Sequence, residues 1–108
     1  MKDKDNQRIL HILDSIKEIE DFTHNITLND FLNNRLLQLS VTRLLEIIGE
    51  ASAKLSDEYK SSYPNIEWKS IVGFRNIIVH EYFGLDYQII WDIIKNHITQ
   101  LKNLKPQH

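Results

Sequence analysis

Four residues with chemically useful side chains lie within a stretch of eight positions: Arg75, Asn76, His80 and Tyr82. They are interleaved with isoleucine and valine and flanked by phenylalanine on both sides. Apolar neighbours lower the local dielectric constant, so burying a polar side chain among them costs free energy unless it has a hydrogen-bonding or charged partner. Residues 75–82 are therefore the first candidate for a functional site.

Each of these side chains can make a distinct contribution. Arg75 stays protonated and presents a planar fork that matches phosphate oxygens. His80 can exchange a proton near neutral pH, the Asn76 amide can orient a neighbouring group, and the Tyr82 phenol can hydrogen-bond or accept a modification. An arginine and a histidine are sufficient, in principle, to cleave RNA without a metal, because a base can activate the ribose 2′-hydroxyl while a cation stabilises charge on the phosphate. DNA lacks that hydroxyl.

Helix geometry restricts how these residues can act together. Five residues of an ideal helix turn by about 500°, which leaves Arg75 and His80 roughly 140° apart, whereas Asn76 and His80 share a face. One site that uses both therefore requires the helix to end near His80, or a second chain, which a symmetric dimer would supply. The structural alternative is that Arg75 pairs with an acid at the core edge, His80 is satisfied at a helix end, and Tyr82 only packs.

The first half of the chain predicts two helices. Apolar residues at helical spacing predict a first helix from about Asp5 to Asp21, with one face formed by Ile9, Ile12, Leu13, Ile16 and Ile19. Thr27 with Asp30 has the pattern of a capping box, and a long helix is predicted to follow as far as about Leu55. Its apolar seam consists of Leu37, Val41, Leu44, Ile48, Ala51 and Leu55.

The second half predicts a connector at residues 56–65 and a third helix from residues 66–68 toward His80, with Gly84 at or just past its end. Asp86 is placed to cap a fourth helix, and the tail after about Leu104 is predicted to fray. The whole chain, residues 1–108, is thus predicted to be a single all-α domain, a bundle of four to five helices. Because the second and fourth helices carry more apolar surface than such a monomer can bury, a homodimer is expected.

Composition restricts the function classes. Three glycines and two prolines are too few for the many turns of an all-β domain, and the absence of cysteine excludes disulfides and thiolate chemistry. The net charge of -2 gives no global basic field of the kind that marks many nucleic-acid-binding proteins. No secretory signal, membrane span or metal-ligand spacing is recognisable, so we expect a cytoplasmic location, no metal and no cofactor.

The stretch from Arg75 to Tyr82 matches a known pattern: arginine, four residues, histidine, any residue, tyrosine. In this it resembles HEPN-domain proteins, and most closely the HepT-type toxins of HepT–MntA toxin–antitoxin pairs. Flanking segments at residues 47–51, 63–64 and 83–91, together with Trp68, are also similar to that family. The resemblance extends over residues 8–100.

The resemblance implies a helical bundle that dimerises, with the two motifs meeting in a cleft between the chains. It implies a metal-independent ribonuclease in which Arg75 and His80 are the catalytic pair, and Asn76 would support them. It also implies a cognate MntA-like nucleotidyltransferase antitoxin that transfers AMP to Tyr82 and so silences the toxin. The alternative is a non-catalytic helical partner, or nucleotide-binding accessory subunit, of a small nucleotidyltransferase; the complete motif favours the ribonuclease, and the acidic balance slightly favours the alternative.

Overall fold

The computed structural model describes residues 2–80 and 86–107, and for residues 77–80 it describes the backbone alone. Its elements are α1 (Lys2–Thr23), α2 (Leu28–Leu32), α3 (Arg35–Lys54), α4 (Asp57–Ser61), α5 (Trp68–His80) and α6 (Tyr87–Asp92). A π-helical turn (Ile93–His97) and a 3-10 helix (Ile98–Asn103) continue directly from α6. Every regular element within the described residues is helical, which confirms the all-α prediction.

Helix α1 is formed as its periodicity predicts, and it extends slightly further at both ends than residues 5–21. Its isoleucines at positions 9, 12, 16 and 19 are at most 3% exposed. The chain leaves the helix at Asn25, whose φ of 58° lies in the left-handed region that asparagine tolerates better than most residues.

The prediction of a single long helix from about Thr27 to Leu55 is wrong, because the helix is interrupted at Asn33 and Asn34. The capping box is present as predicted, but it starts only the five-residue helix α2. Asn34 then caps α3 by accepting a hydrogen bond from the backbone N–H of Leu37 at 3.0 Å. The side-chain amide of Gln38 donates to the carbonyl oxygens of Phe31 and Leu32, at 3.0 and 3.1 Å, so the carbonyls exposed by the break keep partners.

The predicted connector at residues 56–65 contains a further short helix, α4. Ser56 caps it by accepting from the backbone N–H of Tyr59 at 3.1 Å. Ser56 is in turn held by Asp5, only 2% exposed, whose carboxylate accepts from the Ser56 backbone N–H at 2.9 Å and from its hydroxyl at 2.5 Å. The start of α1 is thereby tied to the start of α4.

Asp86 caps α6 as predicted, accepting from the backbone N–H of Gln88 at 2.9 Å. The chain after Leu104 is not helical, but it is bonded to the bundle where the sequence predicts fraying. The Tyr59 hydroxyl donates to the carbonyl of Lys105 at 2.9 Å, and the backbone N–H of Lys105 donates to the Tyr63 hydroxyl at 3.2 Å. The buried Leu104 side chain explains why this segment follows the bundle surface.

Helix α3 packs against both α1 and α5, and it is the element around which the core forms. Its predicted seam is buried or half-buried along its whole length. The core that results is rich in isoleucine, including Ile9, Ile12, Ile48, Ile71, Ile90 and Ile98, each at most 1% exposed.

Candidate functional site

Helix α5 carries Arg75, Asn76 and His80, and one of its faces is buried against α3. Ile71 is fully buried and Phe74 is 5% exposed, which fixes the rotation of the helix about its axis. Its first turn is anchored by Trp68, whose indole N–H lies 3.1 Å from the carbonyl of Lys60 and 3.3 Å from that of Tyr63. With this rotation Arg75 is half-buried and Asn76 is exposed.

The backbone of α5 passes very close to α3 at Arg75. A methyl group built on Gly49 of α3 would lie 3.1 Å from the Cβ atom of Arg75, 3.2 Å from its backbone nitrogen and 3.5 Å from the carbonyl oxygen of Ile71. The two distances to Arg75 are shorter than ordinary van der Waals contacts, whereas the distance to Ile71 is an ordinary one. Arg75 therefore lies at the seam between two packed helices, which restrains its backbone.

The structure keeps Arg75 and His80 on one continuous helix, since α5 is helical through His80. Helix geometry then places their Cβ directions roughly 140° apart, and those of Asn76 and His80 roughly 40° apart. The His80 side chain and the whole of Tyr82 lie outside the described residues, as does the predicted helix end at Gly84. Arg75 and Asn76 are consecutive on α5 and point about 100° apart, with Arg75 half-buried and Asn76 exposed.

The structural alternative for Arg75 was an ion pair with a core-edge acid. Among the side chains that the structure describes, the ion pairs are Lys17–Asp21, Arg43–Glu46, His97–Asp92 and Lys102–Glu20, and Arg75 is in none of them. Three other cations that could contact a phosphate, at positions 35, 43 and 69, are all exposed.

Two features of the described residues bear on metals and membranes. No group of three His, Asp or Glu side chains in the part of the chain that the structure describes is close enough together to hold a metal ion. None of the described helices combines the length and apolar character that crossing a lipid bilayer requires.

Several large apolar side chains of the described residues are exposed. Leu36 of α3 is 75% exposed and Leu39 is 50% exposed, while Ile89 of α6 is 51% exposed. They lie on the two helices that were expected to carry surplus apolar surface. Helix α1, however, also exposes Leu10 and Phe22, which its isoleucine pattern gave no reason to expect.

Comparison with known proteins now decides the family. The family model described as "Ribonuclease HepT-like" matches residues 12–107. The chain belongs to the HepT-like family. A relative in Methanocaldococcus jannaschii, named "Putative RNase MJ1380", is 41% identical over 103 residues, 94% of this chain and 94% of the relative. "Probable ribonuclease HepT" of Thermococcus cleftensis is 37% identical over 102 residues, 94% of this chain and 93% of the relative. No solved structure matches the chain.

The matched range, residues 12–107, spans positions 75–82 and the α3 segment around Gly49. It begins within α1 and reaches the bonded tail, so it extends further toward the C-terminus than the resemblance at residues 8–100.

Proposed function

We propose that this HepT-like protein is a metal-independent ribonuclease, and that Arg75 and His80 are its catalytic pair. The observation that carries the proposal is the family relation. The chain matches relatives that are named as ribonucleases, and the match extends over nearly their whole length. The half-buried position of Arg75 beside the exposed Asn76 supports it, because a cation at such an edge is accessible to a phosphate and partly shielded from water.

The proposed reaction is transfer of the RNA phosphodiester to the neighbouring 2′-hydroxyl. His80 removes the proton from the 2′-oxygen, and that oxygen forms a bond to phosphorus. The bond to the 5′-oxygen of the next nucleotide breaks, and this oxygen takes a proton from water and leaves as a hydroxyl group. Arg75 stabilises the negative charge that develops on the phosphate oxygens, and Asn76 orients His80 or the substrate. The step needs no oxidant and no cofactor.

The decisive experiment is RNA cleavage by purified protein in the presence of EDTA. We expect cleavage to persist, and to be lost in Arg75→Ala and in His80→Ala while both variants stay folded by circular dichroism. Arg75→Lys should also be impaired, because lysine keeps the charge but not the bidentate fork. Full activity in either alanine variant would exclude that residue from the reaction, and no cleavage by the wild type would favour the non-catalytic accessory role.

The angle between Arg75 and His80 supports a site shared between the two chains of a homodimer, each contributing one residue. Mixing the Arg75→Ala and His80→Ala chains tests this directly. In a mixed dimer with shared sites, one of the two sites regains both residues. Random assembly of equal amounts should then recover about a quarter of wild-type activity, because half the dimers are mixed. Sites confined to one chain would recover none.

The proposed biological role is the toxin of a toxin–antitoxin pair in the cytoplasm, silenced when an MntA-like nucleotidyltransferase attaches AMP to Tyr82. The added phosphate would compete with RNA for Arg75, and the nucleotide would block access. Tyr82→Phe should remain toxic in the presence of the antitoxin, and mass spectrometry should find AMP on the Tyr82 peptide of the wild type. Tyr87→Phe is the control, since Tyr87 is half-buried and its hydroxyl accepts from Arg35 at 3.3 Å. AMP on the Tyr87 peptide instead would contradict the proposed regulation.

A further inference from the structure

Gly49 and Gly73 are both helical glycines, but their surroundings differ completely. A Cβ atom on Gly49 would meet Arg75 at 3.1 and 3.2 Å. A Cβ atom on Gly73, which belongs to α5 itself, would have no atom of a described residue within 4 Å beyond its own helical surroundings. Glycine is unfavourable in a helix interior compared with alanine, so a glycine that permits close approach has a physical justification that the other lacks.

We propose that Gly49 is a positioning residue for Arg75. By allowing α3 and α5 to touch at this point, it sets the position of the Arg75 backbone and therefore the place that the guanidinium group can reach. This inference rests on the proposed function, because it assigns a role to Gly49 only through a catalytic Arg75. It adds to that function a residue on a different helix from the motif.

The atoms that a methyl group on Gly49 would meet explain why the effect should reach catalysis. A flexible side-chain tip could rotate away, but the Cβ atom and backbone nitrogen of Arg75 move only when α5 itself moves. The interior is close-packed, so a shift of a few tenths of an ångström must displace the helix rather than fill a void. Catalytic groups are sensitive to such displacements, since misplacement by about 1 Å can lower a rate by about a hundredfold.

The experiment compares Gly49→Ala with Gly73→Ala in RNA cleavage. Each variant adds one methyl group to a helix, and the two differ in whether that methyl group meets Arg75. We expect Gly49→Ala to lower kcat by roughly three- to tenfold with a much smaller change in KM. Gly73→Ala should keep wild-type kcat and melt at the wild-type temperature or above it. Cleavage is measured well below the melting temperature of every variant.

A second comparison separates an effect through Arg75 from a general loss of structure. In the Arg75→Ala background, Gly49→Ala should lower the residual single-turnover rate by a smaller factor than in the wild type, because the guanidinium group that it positions is already absent and only the displacement of His80 remains. Loss of that residual rate by the same factor as in the wild type would overturn the positioning role. The positioning role would also be overturned if Gly49→Ala and Gly73→Ala cleaved RNA equally fast although Arg75→Ala is inactive. Full activity of Arg75→Ala itself would instead overturn the proposed function.

If Gly49→Ala folds but is too unstable for the cleavage assay, the steric origin can still be tested through stability. Arg75→Gly removes the Cβ atom that lies 3.1 Å from the added methyl group. Adding Gly49→Ala to the Arg75→Gly protein should therefore lower its free energy of unfolding by less than adding Gly49→Ala to the wild type does. Urea unfolding followed by circular dichroism measures both differences. An equal or greater loss in the Arg75→Gly background would show that the contact with residue 75 is not the cause, and would overturn the proposal.

Discussion

The exposed leucines of α3 provide a direct test of the expected homodimer. Leu36 and Leu39 are three residues apart and therefore lie on one side of the helix, with 75% and 50% of their surface exposed. We predict that the double variant Leu36→Ala/Leu39→Ala weakens dimerisation and leaves the monomer folded. Alanine is a strong helix former, so the change removes apolar area without disturbing α3.

The size of the effect follows from the exposed fractions. Complete burial of a leucine side chain is worth about 1.5–3 kcal/mol relative to leaving it exposed. Scaling by the exposed fractions gives about 2–4 kcal/mol for the two side chains together. A twofold-symmetric interface contains each of them twice, so up to about 4–8 kcal/mol is at stake. The lower figure corresponds to about three orders of magnitude in Kd.

Sedimentation velocity over a range of protein concentrations measures this Kd. The matched control is Leu10→Ala/Phe22→Ala, which removes apolar side chains of similar exposure, 50% and 48%, from α1. We expect the control to dimerise like the wild type. A wild-type protein that is monomeric at micromolar concentration would refute the dimer. Dissociation of the α1 control, with the α3 variant unaffected, would place the interface on α1.

Two further predictions concern the contacts that fix the ends of the bundle. Asp5→Ala should lower the free energy of unfolding in urea by about 2–4 kcal/mol, because two hydrogen bonds to a buried carboxylate are lost. The control is Asp3→Ala, at an exposed acid of the same turn, which should cost at most about 1 kcal/mol. Equal losses in the two variants would contradict this prediction. Burial, with a contribution from Tyr63, raises the pKa of Tyr59, so the folded state favours the neutral phenol and stability should fall as the pH rises past the ordinary tyrosine value of about 10. Urea midpoints between pH 9 and 11 should therefore fall less steeply in Tyr59→Phe than in the wild type, and parallel slopes would rule this out.

The break between α2 and α3 shows why helix boundaries were less predictable than helix faces. The apolar seam of α3 was predicted correctly, because burial depends on spacing along one helix. The break depends instead on hydrogen bonds of Asn34 and Gln38 that replace those lost at Asn33. Asparagine and glutamine make such bonds only when the backbone has already turned, so their presence in the sequence does not distinguish a break from a continuous exposed surface.

Helix α4 was missed for a different reason. Its five residues give no periodicity to detect, and its cap at Ser56 is stabilised by Asp5, which lies 51 residues away in sequence. Asp5 itself was assigned only as the start of an amphipathic helix. A buried carboxylate whose partner lies on another element cannot be recognised from the local pattern, whereas the Asp86 cap, which bonds two residues ahead, was predicted correctly.

The candidate site combines both situations. Arg75 and Asn76 are candidate site residues by residue type and spacing, and the helix that carries them was predicted with its start near residues 66–68 and its extent toward His80. The constraint on Arg75 comes from Gly49, which belongs to another helix and carries no functional group that would mark it as part of a site. Arg75 and His80 differ by roughly 140° on the unbroken helix α5. Of the two predicted ways to complete a site that uses both, the helix end just past His80 lies outside the described residues, and the other is a second chain. A second chain would supply the missing residue of such a site, and the exposed leucines of α3 would give that chain an apolar surface to bind.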